Sequence, residues 1–159
     1  MGKKSKNPAQ SGPPRKVITR NRRAFHDYHI TDRFEAGLVL HGSEVKSLRD
    51  GRVNINDAYG EIREGELYLV AANISEYPQA TRDNHEPRRT RKLLMHKAQI
   101  RRLAVKLNER GFALVPLELY FVHGRAKIEL GLGKGKRQYD KREAVRQRDM
   151  SRDQRGEQE

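Results

Sequence analysis

Apolar and polar side chains alternate along several stretches of the chain. Phe34, Ala36, Leu38 and Leu40 alternate with Glu35, Gly37 and Val39, and Ala126, Ile128, Leu130 and Leu132 alternate with Arg125, Lys127, Glu129 and Gly131. A period of two is that of a strand with one apolar face, so Glu35 and Lys127 project from the opposite side. Tyr59 to Arg63 and Glu66 to Val70 read as a hairpin around Glu64-Gly65, where the glycine can take the positive φ of a tight turn. Leu117 to Val122 and Arg125 to Leu132 form another, turning at His123-Gly124. The period changes between His96 and Arg110, where Ile100, Leu103, Ala104 and Leu107 fall at helical spacing and Gly111 supplies the stop. A shorter helix is predicted from Ser43, as its cap, to Asp50, with Glu44 in the first turn, Val45 and Leu48 inward, and Gly51 beyond its end.

Elsewhere the pattern breaks. Between Ser75 and Arg91 no period survives, and Pro78, Pro87, Arg88, Arg89, Arg91 and Lys92 mark a long basic loop, after which Leu93, Leu94 and Met95 return to the core or cover its edge. Residues 1–23 contain Pro8, Pro13 and Pro14 and too few apolar side chains to offset the entropy of ordering. At the other end, Gly131, Gly133 and Gly135 alternate with Leu132, Lys134 and Lys136, which predicts a charged hinge; beyond it Ala144, Val145 and Met150 are the last aliphatic residues. The glycine spacing is not that of a phosphate loop, and no Gly-Lys-Ser/Thr follows. The chain therefore divides into a disordered basic arm (1–23), a folded body (24–133) and a basic tail (134–159). The body is expected to be mainly β with flanking helices, a small antiparallel barrel whose closure removes exposed sheet edges.

Charge adds a partner to this picture. The 159 residues carry a formal net charge of +13, and residues 1–23 hold eight Lys/Arg without one acid. Such an excess favours a polyanion, because each cation that neutralises a phosphate releases condensed counterions. A membrane surface is the second candidate, but the arm lacks the large apolar residues an anchor would insert. The longest apolar runs fall far short of the roughly 20 residues that span a bilayer, and the polar N-terminus does not resemble a signal peptide, so the chain reads as cytoplasmic. With no cysteine, neither a disulfide nor a cysteine-based metal site can form. Histidines 26, 29, 41, 85, 96 and 123 show no metal-ligand spacing, and the acids lie among bases rather than in a recognisable pair. No metal, cofactor or catalytic role is expected. A basic helix and loop are ordinarily a solvated face; cations concentrated in two arms as well favour RNA binding.

Five ordered segments are more specific: Phe34-Glu35-Ala36-Gly37-Leu38, Gly42-Ser43-Glu44-Val45-Lys46-Ser47-Leu48-Arg49, Asn54-Ile55-Asn56-Asp57-Ala58-Tyr59, Arg89-Thr90-Arg91-Lys92-Leu93-Leu94, and Gly133-Lys134-Gly135-Lys136-Arg137-Gln138-Tyr139-Asp140-Lys141-Arg142. Together, from about Asn21 to Arg142, they resemble the small protein B family, the SsrA-binding proteins that bind transfer-messenger RNA. The resemblance implies an oligonucleotide-binding-type β-barrel that takes part in bacterial trans-translation. It implies a non-enzymatic monomer that escorts the charged RNA, with elongation factor Tu, to a stalled ribosome. Glu35, Leu94 and Lys127 match family residues implicated in binding the tRNA-like domain. Lys127 can meet a phosphate; Glu35 accepts hydrogen bonds or orients a cation; Leu94 stacks under a base or packs, and structural support is an alternative for both Glu35 and Leu94. Arg89, Arg91 and Lys92 of the basic loop join them as candidate RNA contacts. Lys134, Lys136, Arg137, Tyr139, Asp140, Lys141 and Arg142 match the tail motif that works at the ribosomal decoding centre. That tail is expected to be disordered in the free protein and helical on the ribosome, since Asp140 and Glu143 offer a helix start and no glycine or proline interrupts Lys136 to Arg155. The rival reading is a ribosomal or general single-strand RNA-binding protein.

Overall fold

The structure, a computed structural model, describes residues 14–80 and 84–136. Strands β1 (Lys16–Arg20), β2 (Tyr28–Leu38), β4 (Tyr59–Arg63), β5 (Glu66–Val70), β7 (Arg91–Leu94), β8 (Phe112–Val122) and β9 (Arg125–Gly135) form one sheet, and β3 (Val53–Asn54) and β6 (Asn73–Ile74) form a small second one. The helices are α1 (Arg22–Asp27), α2 (Gly42–Arg49) and α3 (Lys97–Leu107). In the large sheet the order is β1-β8-β4-β5-β7-β2-β9, and β8 also pairs with β9, so six strands close on themselves while β1 adds to β8 from outside.

Alternation builds the interior. Ala36 of β2, Leu67 and Leu69 of β5, and Ile128, Leu130 and Leu132 of β9 are buried together with Ile100 and Leu103 of α3. Each large apolar side chain withdrawn from water contributes roughly 1.5–3 kcal/mol. Both expected hairpins form through two-residue turns in which each residue has positive φ, Glu64-Gly65 and His123-Gly124; this geometry matches the twist of the strands it joins. β8 extends to Phe112, five residues earlier than its alternation suggests; Pro116, which cannot donate to the ladder, stands at a register shift between Pro116 and Glu118 that interrupts the alternation.

The expected arm ends earlier than Arg23. Lys16–Arg20 pairs with β8, and Asn21 then caps α1, its Oδ1 accepting from the Ala24 N–H at 3.3 Å while its Nδ2 donates to the Pro116 carbonyl at 2.9 Å. A short strand flanked by basic residues gains order here by adding to an edge that already exists and laying Ile18 against the core, which composition alone cannot register. The helix of residues 42–49 is not capped by Ser43; the His41 N–H donates to the Glu44 carboxylate at 2.9 Å, and the Ser43 hydroxyl meets His85 Nδ1 at 2.9 Å.

The glycine hinge is also corrected. Gly131, Gly133 and Gly135 lie inside β9, opposite Arg33, Ile30 and Tyr28 of β2. A Cβ on Gly131 would lie 3.0 Å from Leu117 and 3.1 Å from Ile30; one on Gly133 would lie 2.9 Å from Ile30. The missing side chains let a second apolar cluster of Ala24, Val115 and Leu117, with Tyr28 and Ile30, settle on the outer face of the sheet. α1 thereby covers one end of that face. The other end, around residues 35, 94 and 127, stays open, with Tyr120 fully buried beneath it.

Candidate nucleic-acid interface

The open end is assembled by register. Gly37 of β2 is paired with Leu94 of β7 on one side and with Lys127 of β9 on the other, and Lys127 is paired in turn with Tyr120 of β8. Leu94, Gly37, Lys127 and Tyr120 thus form a row across four strands. Leu94 is 55% exposed, unusual for a leucine, and because Gly37 has no side chain, the apolar surface of Leu94 continues towards Lys127 without obstruction.

Glu35 lies two residues along β2 from that row. Its Oε2 accepts from the Tyr120 hydroxyl at 2.5 Å, and its Oε1 accepts from Lys127 Nζ at 3.3 Å. Arg15 lies over the Tyr120 ring, 4.3 Å from its centroid, and reaches Glu35 at 3.6 Å and Glu129 at 3.4 Å. Arg33 adds a second cation on Glu129 at 3.3 Å. The Tyr120 hydroxyl, against the opposing effect of partial burial and with help from Lys127 and Arg15, holds the Glu35 carboxyl below its ordinary range. Burial, and then the facing carboxylate, push the Tyr120 hydroxyl far up, so it is a donor at any physiological pH. The result is a surface with an apolar step, a fixed carboxylate and movable cations, able to meet a base, a sugar hydroxyl and phosphates respectively.

The basic loop divides. Lys92 is exposed and pairs with Glu66 at 3.4 Å. Arg89 is half-buried, its Nη2 donating to Glu44 Oε1 at 2.6 Å. Arg91 does not reach solvent at all: its side chain is fully buried, its Nε donates to Glu44 Oε2, and its Nη1 and Nη2 donate to the carbonyls of Ala72 at 2.8 Å and Pro87 at 3.0 Å. The expectation that Arg91 contacts RNA is therefore corrected. Desolvation weakens its hold on the proton, and Glu44 counteracts that loss. At Glu44 burial works against ionisation, but the His41 N–H, Arg89 and Arg91 outweigh it and keep the carboxyl below its ordinary range.

Lys134 is exposed on β9. Lys136 follows the strand, its backbone N–H donating to the Asp27 carbonyl at 2.9 Å and its Nζ to the Phe25 carbonyl at 3.0 Å. Arg137, Tyr139, Asp140, Lys141 and Arg142, and the expected tail helix, lie outside the described residues.

Tyr120, Arg15 and Glu129 were not singled out from the sequence, and Glu44 reads there only as a first-turn acid of its helix, not as the partner of Arg89 and Arg91. A two-residue turn at 123–124 sets residue 122 opposite 125 and hence 120 opposite 127, so Tyr120 was within reach of the pattern; the other three depend on contacts between distant segments. A cleft of about 660 Å³ between α1, β4 and α3, bordered by Asn21, Asp27, Tyr59 and Asn108, contains none of the nominated residues. Among the described residues, no cluster of His, Cys, Asp or Glu could hold a metal ion, and no helix is long and apolar enough to cross a membrane.

Comparison with known proteins is consistent in direction. The family model described as SmpB protein matches residues 18–159. An SsrA-binding protein of Geobacter sulfurreducens is 54% identical over 138 residues, 87% of this chain and 90% of the relative. One from Thermobifida fusca is 51% identical over 153 residues, 96% of this chain and 94% of the relative. A solved structure described as "tmRNA-SmpB: a journey to the center of the bacterial ribosome" superposes with a TM-score of 0.66 at 48% identity, covering 80% of this chain and 94% of that one.

Proposed function

The chain belongs to the SmpB protein family, and from that premise we propose that it binds transfer-messenger RNA and acts with it on the ribosome in trans-translation. The observation that carries the reading onto this molecule is the row Leu94, Gly37, Lys127 and Tyr120 with Glu35 beside it. An open sheet face carrying a leucine, a carboxylate and a lysine suits an RNA whose bases and sugars, as well as phosphates, are contacted.

Within that reading, the tRNA-like domain meets Leu94, Lys127 and Glu35, with Lys92 and Arg89 at the margin. Glu35 serves by orienting the Tyr120 hydroxyl and Lys127 as well as by accepting hydrogen bonds. The body delivers the RNA, in company with elongation factor Tu, and the tail with Lys134, Lys136, Arg137, Tyr139, Asp140, Lys141 and Arg142 works at the decoding centre. One chain supplies every residue of the row, so a monomer suffices, and escorting an RNA in the cytoplasm requires no chemical step by the protein. The functional division follows as a basic arm to about residue 15, a body to Lys136 and a basic tail in the sequence beyond it.

Binding of the isolated tRNA-like domain, compared with an unrelated RNA hairpin of equal length across a salt series, tests the reading. Preference for the tRNA-like domain that persists at moderate salt is expected, with log affinity falling linearly in log salt. Equal binding of the two RNAs would instead support the general RNA-binding alternative.

A further inference from the structure

Lys92 and Leu94, both nominated for RNA, sit on β7, a four-residue strand that pairs with β2 at Gly37 and Leu38 and with β5 at Leu67, Tyr68 and Leu69, and accepts the Val39 N–H at the Lys92 carbonyl at 3.1 Å. Along it Arg91 and Leu93 point inward and Lys92 and Leu94 outward. A slip of one residue would reverse every side chain. Burial of a leucine does not decide between the two registers, because Leu93 and Leu94 are adjacent and identical, and either could fill the same core site. What distinguishes them is Arg91. Its planar fork reaches three acceptors on three segments, the Glu44 carboxylate at the start of α2 and the carbonyls of Ala72 and Pro87, from a fully buried position. A lysine at the same place, as the slipped register would put there, offers a point charge instead of a fork.

We infer that the buried Glu44–Arg91 pair locks the register of β7 and so positions Leu94 and Lys92 for RNA. Neither Glu44 nor Arg91 touches the RNA; both are positioning residues. The inference rests on the proposed reading of the Leu94 face, and a double-mutant cycle separates the two. In the full-length protein, Leu94→Ala is expected to weaken binding of the tRNA-like RNA by about tenfold, the size of one lost base contact. In a Glu44→Gln background already weakened for RNA, the same Leu94→Ala change is expected to cost less than about twofold, because the leucine no longer faces outward consistently. Lys127→Ala, on β9 and outside the lock, is expected to cost as much in either background. The Leu94 methyl resonances should move in Glu44→Gln while those of Leu130 stay in place. Should Glu44→Gln not fold, Arg91→Lys, which keeps the cation and loses the fork, takes its place in the cycle. A Leu94→Ala cost that is equal in both backgrounds, or failure of both lock variants to fold, overturns the lock and leaves the RNA reading intact. No cost of Leu94→Ala in the native background overturns the RNA reading of Leu94, and the positioning inference with it.

Discussion

Tyr120 and Glu35 are joined across the open face by a hydroxyl-to-carboxylate hydrogen bond of 2.5 Å, although 85 residues separate them in the chain. The bond orients the carboxylate whose other oxygen receives Lys127. Tyr120→Phe removes the donor and leaves the ring under Arg15. The Glu35 carboxyl should then titrate closer to its ordinary range, and the fold should lose about 1 kcal/mol, less than the usual value for a bond to a charged group because Glu35 is partly solvated. Carbon-detected titration of the Glu35 side chain, with a thermal melt beside it, checks both; an unchanged titration would mean that Lys127 and Arg15 alone hold the carboxylate.

Lys127→Ala should weaken binding to the tRNA-like RNA and leave the unfolding midpoint nearly unaltered, since an outward cation paired at 3.3 Å with a solvated glutamate contributes within about 0.5 kcal/mol to stability. If the lysine meets one phosphate, the slope of log affinity against log salt falls by about 0.7–0.9. Weakened binding with an unaltered slope would assign Lys127 to a base or to the support of Glu35.

Gly133→Ala discriminates a packed strand from a hinge. An added Cβ would lie 2.9 Å from Ile30 Cδ1, 3.0 Å from Tyr28 Cβ and 3.2 Å from the His29 carbonyl oxygen. Overpacking of this kind costs about 1–3 kcal/mol, so the denaturant midpoint should drop. A flexible linker would accept alanine without loss.

The chain's alternation located the hairpins and the outward faces of Glu35 and Lys127, and its helical spacing located α3, because each of these is set by neighbours close in sequence. A glycine run has two physical uses, freedom and close approach, and nothing local to residues 131–135 separates them; Ile30 and Leu117, which decide the matter, come from other strands. Arg91 illustrates the same limit for charge. Within Arg88, Arg89, Arg91 and Lys92 all four cations look equivalent, and only the carboxylate of Glu44, 47 residues upstream, selects one for the interior. β1 escaped notice because its five residues offer only Ile18 to the core, and its order derives mainly from pairing with the edge of β8.

Acid should destabilise the protein in a range set by Glu35 and Glu44. Both carboxyls are held below their ordinary range in the fold, Glu35 first by Tyr120, and Glu44 by the His41 N–H, Arg89 and Arg91 in spite of its burial. A carboxyl with a lower pKa folded than unfolded stabilises the fold at any pH above its unfolded pKa. That stabilisation disappears as pH falls through the folded value. The urea midpoint should therefore be flat near neutrality and decline from about pH 5 downward. Glu44→Gln should start lower and decline less steeply. An equal decline in that variant would place the acid sensitivity elsewhere.

The tail gives the final prediction, and the structure fixes where to cut. A chain ending at Gly133 would remove Lys134 and Gly135 from β9, and with them the pairings to His29 and Tyr28 and the hydrogen bond from the Gly135 N–H to the Gly111 carbonyl. Ending at Lys136 keeps these, and it keeps the two bonds from Lys136 to the Asp27 and Phe25 carbonyls that tie the root of the tail to α1. The row of Leu94, Gly37, Lys127 and Tyr120 draws on no residue beyond that point. A chain ending at Lys136 should therefore bind the tRNA-like RNA within about twofold of the full chain, a difference of roughly 0.4 kcal/mol. It should also fail to support tagging on stalled ribosomes, since Tyr139, Asp140, Lys141 and Arg142 are gone. Binding and tagging assays on the same preparation decide the matter. Normal tagging by the shortened chain would remove the tail from the mechanism, and a large loss of RNA affinity would mean that the tail belongs to the RNA site itself.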